Sequence, residues 1–192
     1  MHSRWYGARM ESRGGTVRLG IRVATSVVVL WLALCTALVV LPDVDEHAAV
    51  DATYFLSSEG GHTALENRSD LRIGEVVLSR PLSVASLPIY AVCDEPGVTC
   101  IAPSPETTQG EAEAFARLAK ERGWTSVTVV SQASHVARIR ILMGRCFPGM
   151  VRVVGIPEQG VKPRLRSFVY ETGAMVKVVL TPGCHTRLPW AG

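Results

Sequence analysis

The chain has 192 residues, enough for one domain with an appendage. Hydrophobic residues at 47% and charged ones at 19% exclude an intrinsically disordered chain. The net charge of +3 belongs to a short leader: Arg4, Arg9, Arg13, Arg18 and Arg22 against Glu11 give +4, while the remainder carries 15 Lys+Arg and 16 Asp+Glu, or −1, which removes nucleic acid as a partner of the folded body.

Residues 1–22 form this basic leader. Val23 to Leu41, VATSVVVLWLALCTALVVL, then holds no charge, Pro or Gly. A helix of this length nearly matches a hydrocarbon core of about 30 Å, and in lipid only a helix satisfies the backbone of a single segment. Arginines precede the span and Asp43, Asp45 and Glu46 follow it. The positive-inside rule therefore predicts a cytoplasmic N-terminus and an extracytoplasmic domain. A cleaved signal peptide would have a shorter apolar region and a small-x-small site. The nearest small residues, Ala48 and Ala49, lie beyond the acidic stretch, and Leu34 is too large for a lipoprotein signal at Cys35. An uncleaved anchor is expected.

Residues 42–50 read as a polar linker, 51–181 as the domain and 182–192 as a tail. From Asp51, short β-rich runs alternate with helical stretches, the pattern of an α/β fold with a Rossmann-like, mostly parallel sheet and helices on both faces. The predicted strands are Ala52–Ser57, Glu75–Ser79, Ile89–Cys93, Val98–Ile101, Ser126–Ser131 and Val151–Gly155. Several are nearly continuous apolar runs, as for strands buried on both faces. Gly60–Ile73 has room for one short helix. Thr108-x-x-Glu111 is a capping-box pattern opening a helix with Ala112, Phe115, Ala116 and Ala119 as its apolar stripe and Gly123 as its stop. Ser134 is placed to cap a helix running to Cys146, with Val136, Ile139 and Met143 inward. A last helix from about Pro163 carries Leu165, Phe168, Val169, Thr172, Val176 and Val179 at helical spacing.

Cys93, Cys100, Cys146 and Cys184 fall outside the span. In an oxidising compartment they suggest two disulfides, with three possible pairings. Cys93–Cys100 would close a loop through Pro96-Gly97, and Cys146–Cys184 would tie a helix end to the tail. A zinc site competes, but there is no CxxC and no paired His, so no metal is expected.

Ligands of open α/β sheets bind beyond the carboxyl ends of the strands. That rule selects Ser57, Ser58, Glu59, Gly60 and Gly61 after the first strand, and Ser79 and Arg80 after the second. After the Ser126–Ser131 strand it selects Ser131, Gln132, Ser134, His135 and Arg138, with Thr107, Thr108 and Glu111 opening the preceding helix. His135 and Arg138, one helical turn apart beside a positive helix N-terminus, are suited to an anionic group. Each feature also has a plain structural use: Gly60-Gly61 as a tight turn, Thr108 and Glu111 as a cap, and the His-Arg pair as solvated charge. No Walker A, GxGxxG or GxSxG pattern is present, so no cofactor is legible and a Ser-His-acid hydrolase is disfavoured. His47, His62 and His185 show no ligand spacing and read as surface residues, as do Arg140, Arg145 and Arg152.

The stretch TTQGEAEA from Thr107, followed by GWTSVTVVSQASHVAR from Gly123 to Arg138, resembles the YdcF/SanA/ElyC-like family, in particular membrane-anchored members from high-GC Gram-positive bacteria whose helix start often reads TTRGEA. Tyr170-Glu171-x-Gly173 is similar to that group's Glu-containing C-terminal helix. The resemblance implies a Rossmann-like domain acting in envelope biogenesis or barrier maintenance. It places Thr108, Glu111, Ser131, His135 and Arg138 at recurrent pocket positions. Two departures stand out: the usual Gly-rich first loop is Ser57-Ser58-Glu59-Gly60-Gly61, and the usual Ser-Gly-Gly after the second strand is Ser79-Arg80-Pro81. Three functions follow as expectations. The first is a pocket binding an anionic envelope metabolite, the second a non-catalytic scaffold, and the third a hydrolase using His135 and Glu111 as acid and base.

Overall fold

The computed structural model describes residues 5–40, 45–46 and 48–184. The uncharged run leaves the backbone no better conformation than a helix, and helix α1 spans Trp5–Val40, continuing unbroken through the basic leader. Within it Val17–Val39, 23 residues, is long and apolar enough to cross a membrane. At 1.5 Å per residue that is about 35 Å. Its C-terminal part packs on the domain, burying Cys35 and Val39.

Five strands form one all-parallel sheet: β1 Ala52–Phe55, β2 Glu75–Ser79, β3 Val98–Ile101, β4 Ser126–Gln132 and β5 Met150–Ile156, in the order β3-β2-β1-β4-β5. Helices α2 (Glu59–Asn67), α3 (Thr108–Arg122), α4 (Val136–Cys146) and α5 (Val161–Leu180) complete the domain. The architecture is Rossmann-like α/β. Alternation along the strands divides the core between the two faces. Tyr54, Val77 and Val129 point to α3 and α4, where they meet Phe115, Ile139 and Met143. Phe55, Leu78 and Val130 point to α2 and the Tyr90 segment.

The segment predicted as a strand at Ile89–Cys93 is a 3₁₀ helix, Pro88–Asp94, that buries Tyr90 and Val92. The free edge of β2 is taken instead by β3, which the Cys93–Cys100 disulfide ties to this segment. The second disulfide joins Cys146 at the end of α4 to Cys184. Among the described residues no group of three His, Cys, Asp or Glu is placed to hold a metal ion.

Three helix starts and stops follow from local chemistry. Thr107, not Thr108, is the N-cap of α3: its side chain accepts from the Gly110 amide, which frees Glu111 to turn away from the helix start. Gly123 stops α3 with φ 71°, a left-handed conformation that a side chain disfavours. Ser134 does not cap α4, because a 3₁₀ turn, Ala133–His135, intervenes and its hydroxyl donates to Glu158.

Helix α5 differs most from expectation. It buries Glu171, Met175 and Val178, whereas Leu165, Val169, Val176 and Val179 face outward. The helix has apolar residues on two sides, and spacing cannot say which one packs. Arg145, read as surface charge, donates to the carbonyls of Val178 and Thr181 at 3.1 and 3.2 Å and so caps the C-terminus of α5. In the expected linker, Asp45 docks on the outer edge of β5. Its amide donates to Val153 O, while its carboxylate accepts from Val153 N and Arg140. That covers an otherwise open sheet edge.

Candidate functional site

Strand order reverses between β1 and β4, and in such sheets the crevice at the carboxyl ends of these two strands is the place for a ligand. A cleft of about 710 Å³ opens there. Ser57 and Ser58 from the β1 loop, Thr108 and Glu111 from α3, and Ser131, His135 and Arg138 from β4 and the start of α4 all line it. The remaining expected residues lie elsewhere. Gly60 faces an adjacent recess of about 300 Å³, and Ser79 and Gly61 line neither space.

The glycines serve packing rather than ligand approach. A Cβ on Gly60 would meet the Gln132 backbone at 2.8 Å, and one on Gly61 would meet the Leu56 carbonyl at 2.2 Å. Both sit in the first turn of α2, where they let the helix press against the strand ends. Arg80 is not part of the cleft wall.

Glu111 holds the β1 loop. One carboxylate oxygen accepts from the Ser57 amide at 3.0 Å and the Ser57 hydroxyl at 2.6 Å. The Ser58 and Ser131 hydroxyls are 3.0 Å apart, and Ser58 also accepts from the Gly61 amide as the N-cap of α2. Below them, Arg138 and Glu171 form a buried bidentate pair, Nε and Nη2 each donating at 2.8 Å. The third nitrogen, Nη1, donates to the Thr108 hydroxyl at 2.6 Å. Arg138 therefore braces α4 against α5 and α3. The cation that lines the cleft without an ion pair among the described residues is Lys177 of α5.

His135 Nε2 lies 3.2 Å from Glu171 Oε1. Burial, reinforced by the nearby Arg138 charge and opposed by Glu158, lowers the His135 pKa to about 4, so its ring is neutral at pH 7. Burial raises the Glu171 pKa, against the pull of Arg138. These shifts act on stability with opposite signs. Between pH 6.5 and about 4 the unfolded chain protonates His135 and the folded one does not, so stability falls as pH falls through this window. Glu171, holding its proton more firmly when folded, offsets part of that loss at the acidic end. The histidine effect is expected to reach about 3 kcal/mol at most. Urea unfolding of the wild type and His135→Gln at pH 7 and pH 4.5 checks it. The drop in stability should be smaller in the variant, and equal drops would refute the assignment.

His62, expected at the surface, is half-buried edge-on against Tyr90, with Nε2 3.3 Å from the Tyr90 hydroxyl. His47 and His185 lie outside the described residues. Sequence reasoning missed Glu106, Lys177 and Thr181 as cleft residues. Glu106 belongs to no motif in the sequence and is turned toward Ser83, whose hydroxyl and amide hold its pKa low. Lys177 follows Glu171 by about one and two-thirds helical turns, and which face of α5 it takes is visible only once the helix is oriented. No family model, curated protein or solved structure matches the chain.

Proposed function

We propose that the chain is a single-pass membrane protein holding its domain outside the cytoplasm, where the cleft binds a small anionic, hydroxyl-bearing envelope metabolite. The role would be the envelope biogenesis or barrier maintenance expected of a YdcF-like protein. The observation that carries this reading is the convergence on one cleft of the N-terminal ends of α2, α3 and α4 with Lys177 and the hydroxyl side chains of Ser57, Ser58, Thr107, Thr108 and Ser131. Helix N-termini and a lysine favour negative charge, while hydroxyls and the Glu111 carboxylate suit a ligand bearing hydroxyls of its own. The two disulfides and the arginine-rich leader support the export of the domain.

The test is titration calorimetry of the full chain in lipid nanodiscs with inorganic phosphate, glycerol phosphate and sugar phosphates. At least one should bind, and Lys177→Glu should weaken it by about tenfold or more, equivalent to about 1.4 kcal/mol. An unaltered affinity in the variant, or no binding of any of these anions, removes the reading. The commitment of Arg138 to Glu171 favours a second one, a non-catalytic partner-binding module. Co-isolation of envelope proteins with a chain that binds no anion would support it.

A further inference from the structure

Helix α5 presents to solvent an apolar stripe that no other described residue covers. Val161, Leu165, Val169, Val176 and Val179 follow one another at helical spacings, and their exposure ranges from 43% at Val176 to 83% at Val161. Broken only at Thr172 and Gly173, such a stripe is too long to be scattered surface apolarity. Its charge is one-sided. The helix carries Lys162, Arg164, Arg166 and Lys177, and its single acid, Glu171, is 1% exposed and paired with Arg138. To the outside α5 is thus an apolar and basic helix, the composition of helices that lie in a membrane interface with their apolar face among the acyl chains and their cations at anionic headgroups.

Its neighbour identifies the occupant. Helix α1, whose Val17–Val39 segment is the apolar span, packs directly against α5, the Ala133–His135 turn and α4. The exposed side chains of α1, among them Val27, Leu30 and Leu34, require the same apolar surroundings as the α5 stripe beside them. A span that keeps α5 within van der Waals reach gives the stripe a bilayer at no cost in translational freedom.

We infer that α5 is a second membrane element, an interfacial helix seated in the leaflet on the side of the domain with anionic lipid headgroups against its basic residues. The inference rests on the reading of α1 as a membrane span. It also sets the position of the cleft. Tyr170, Gly173 and Lys177 lie on the flank of α5 next to the stripe and form one wall of the cleft, so its mouth is held at headgroup level. Ligands that are themselves headgroups or headgroup precursors then reach it by lateral diffusion.

Site-directed spin labelling of the full chain in vesicles of phosphatidylglycerol and phosphatidylcholine tests this. With Cys35→Ala as background, single cysteines are placed at Val28, Val169, Val176 and Lys120. Relaxation by oxygen, which enters lipid, is compared with relaxation by a water-soluble nickel chelate. Oxygen should dominate at Val28, Val169 and Val176, and the chelate at Lys120 on α3. Raising the phosphatidylglycerol fraction should deepen the α5 labels. Chelate accessibility at Val169 and Val176 together with a lipid-exposed Val28 overturns the interfacial helix alone, whereas chelate accessibility at Val28 overturns the span itself. Labels on α5 shielded from both reagents would assign the stripe to a protein partner and equally overturn the inference.

Discussion

Glu171→Gln is expected to destabilise the domain by about 3–5 kcal/mol, because it breaks a buried ion pair beneath the cleft. The substitution keeps the shape of the side chain but removes the negative charge that Arg138 faces at 2.8 Å through two parallel bonds. Arg138 is 7% exposed and cannot turn to water, so the guanidinium is left charged and uncompensated in a low-dielectric site. For a domain of this size the loss corresponds to a fall in Tm of roughly 10–20 °C. The double variant Arg138→Met, Glu171→Met separates this cause from simple misfit. It removes both charges at similar volume, and buried pairs replaced by apolar groups often cost little. The double variant should therefore recover most of the stability that Glu171→Gln loses, as read by calorimetric unfolding. If it is less stable than the single variant, then α5 is held by shape at this point and not by charge compensation. The pair joins α4 to α5, with Thr108 of α3 as its third contact, so ligand affinity should fall with Glu171→Gln even at temperatures where the domain stays folded.

The sheet was legible because parallel strands buried on both faces need uninterrupted apolar residues. Ala52–Phe55 and the Val127–Val130 run come close to this, each broken only by one buried β-branched threonine, Thr53 or Thr128, and both stand at the centre of the sheet. Where a short apolar run has another way to be buried, the same signal misleads. Ile89–Cys93 follows Pro88, and it packs Tyr90 and Val92 as a 3₁₀ helix with no ladder at all. Helix α5 shows the converse problem. Its apolar residues are distributed for two environments, and the face that enters the core is centred on a carboxylate, which hydrophobic periodicity scores as outward. Only the Arg138 partner, thirty-three positions earlier in the chain, explains why Glu171 is inside.

The candidate cleft was legible in its positions and less so in how its side chains pair. Seven of the ten expected residues meet in one cleft, since the strand-end rule depends on topology, and the topology followed from the strands. Their chemistry depends on which side chains find each other across the fold. Glu111 looked like the second half of a capping box, yet a cap one residue earlier, at Thr107, releases it to hold the β1 loop. Arg138 looked available for an anion, yet all three of its nitrogens have protein acceptors. Lys177, which has the opposite character, was hidden in an unoriented helix.

Removing the Cys146–Cys184 disulfide by a paired Cys→Ser substitution is expected to cost about 4 kcal/mol, and removing Cys93–Cys100 about 2 kcal/mol. The difference comes from the unfolded chain. The first bridge closes a separation of 38 residues and the second only 7, and the entropy that a cross-link removes from the unfolded ensemble grows with the logarithm of the loop. The longer bridge spans β5 and α5, so it also fixes the far end of the helix that supplies Glu171 and Lys177. It holds Gly183 and Cys184 beside the Gln109 amide at the start of α3. Loss of this bridge should therefore loosen the cleft wall as well as lower stability. Hydrogen exchange in the last two turns of α5 should quicken more than in α2, which the bridge does not touch. Chemical unfolding of the two paired variants decides the matter. Equal losses would show that the unfolded chain is already constrained near its C-terminus, and that the entropy of the 38-residue loop is not what this disulfide removes.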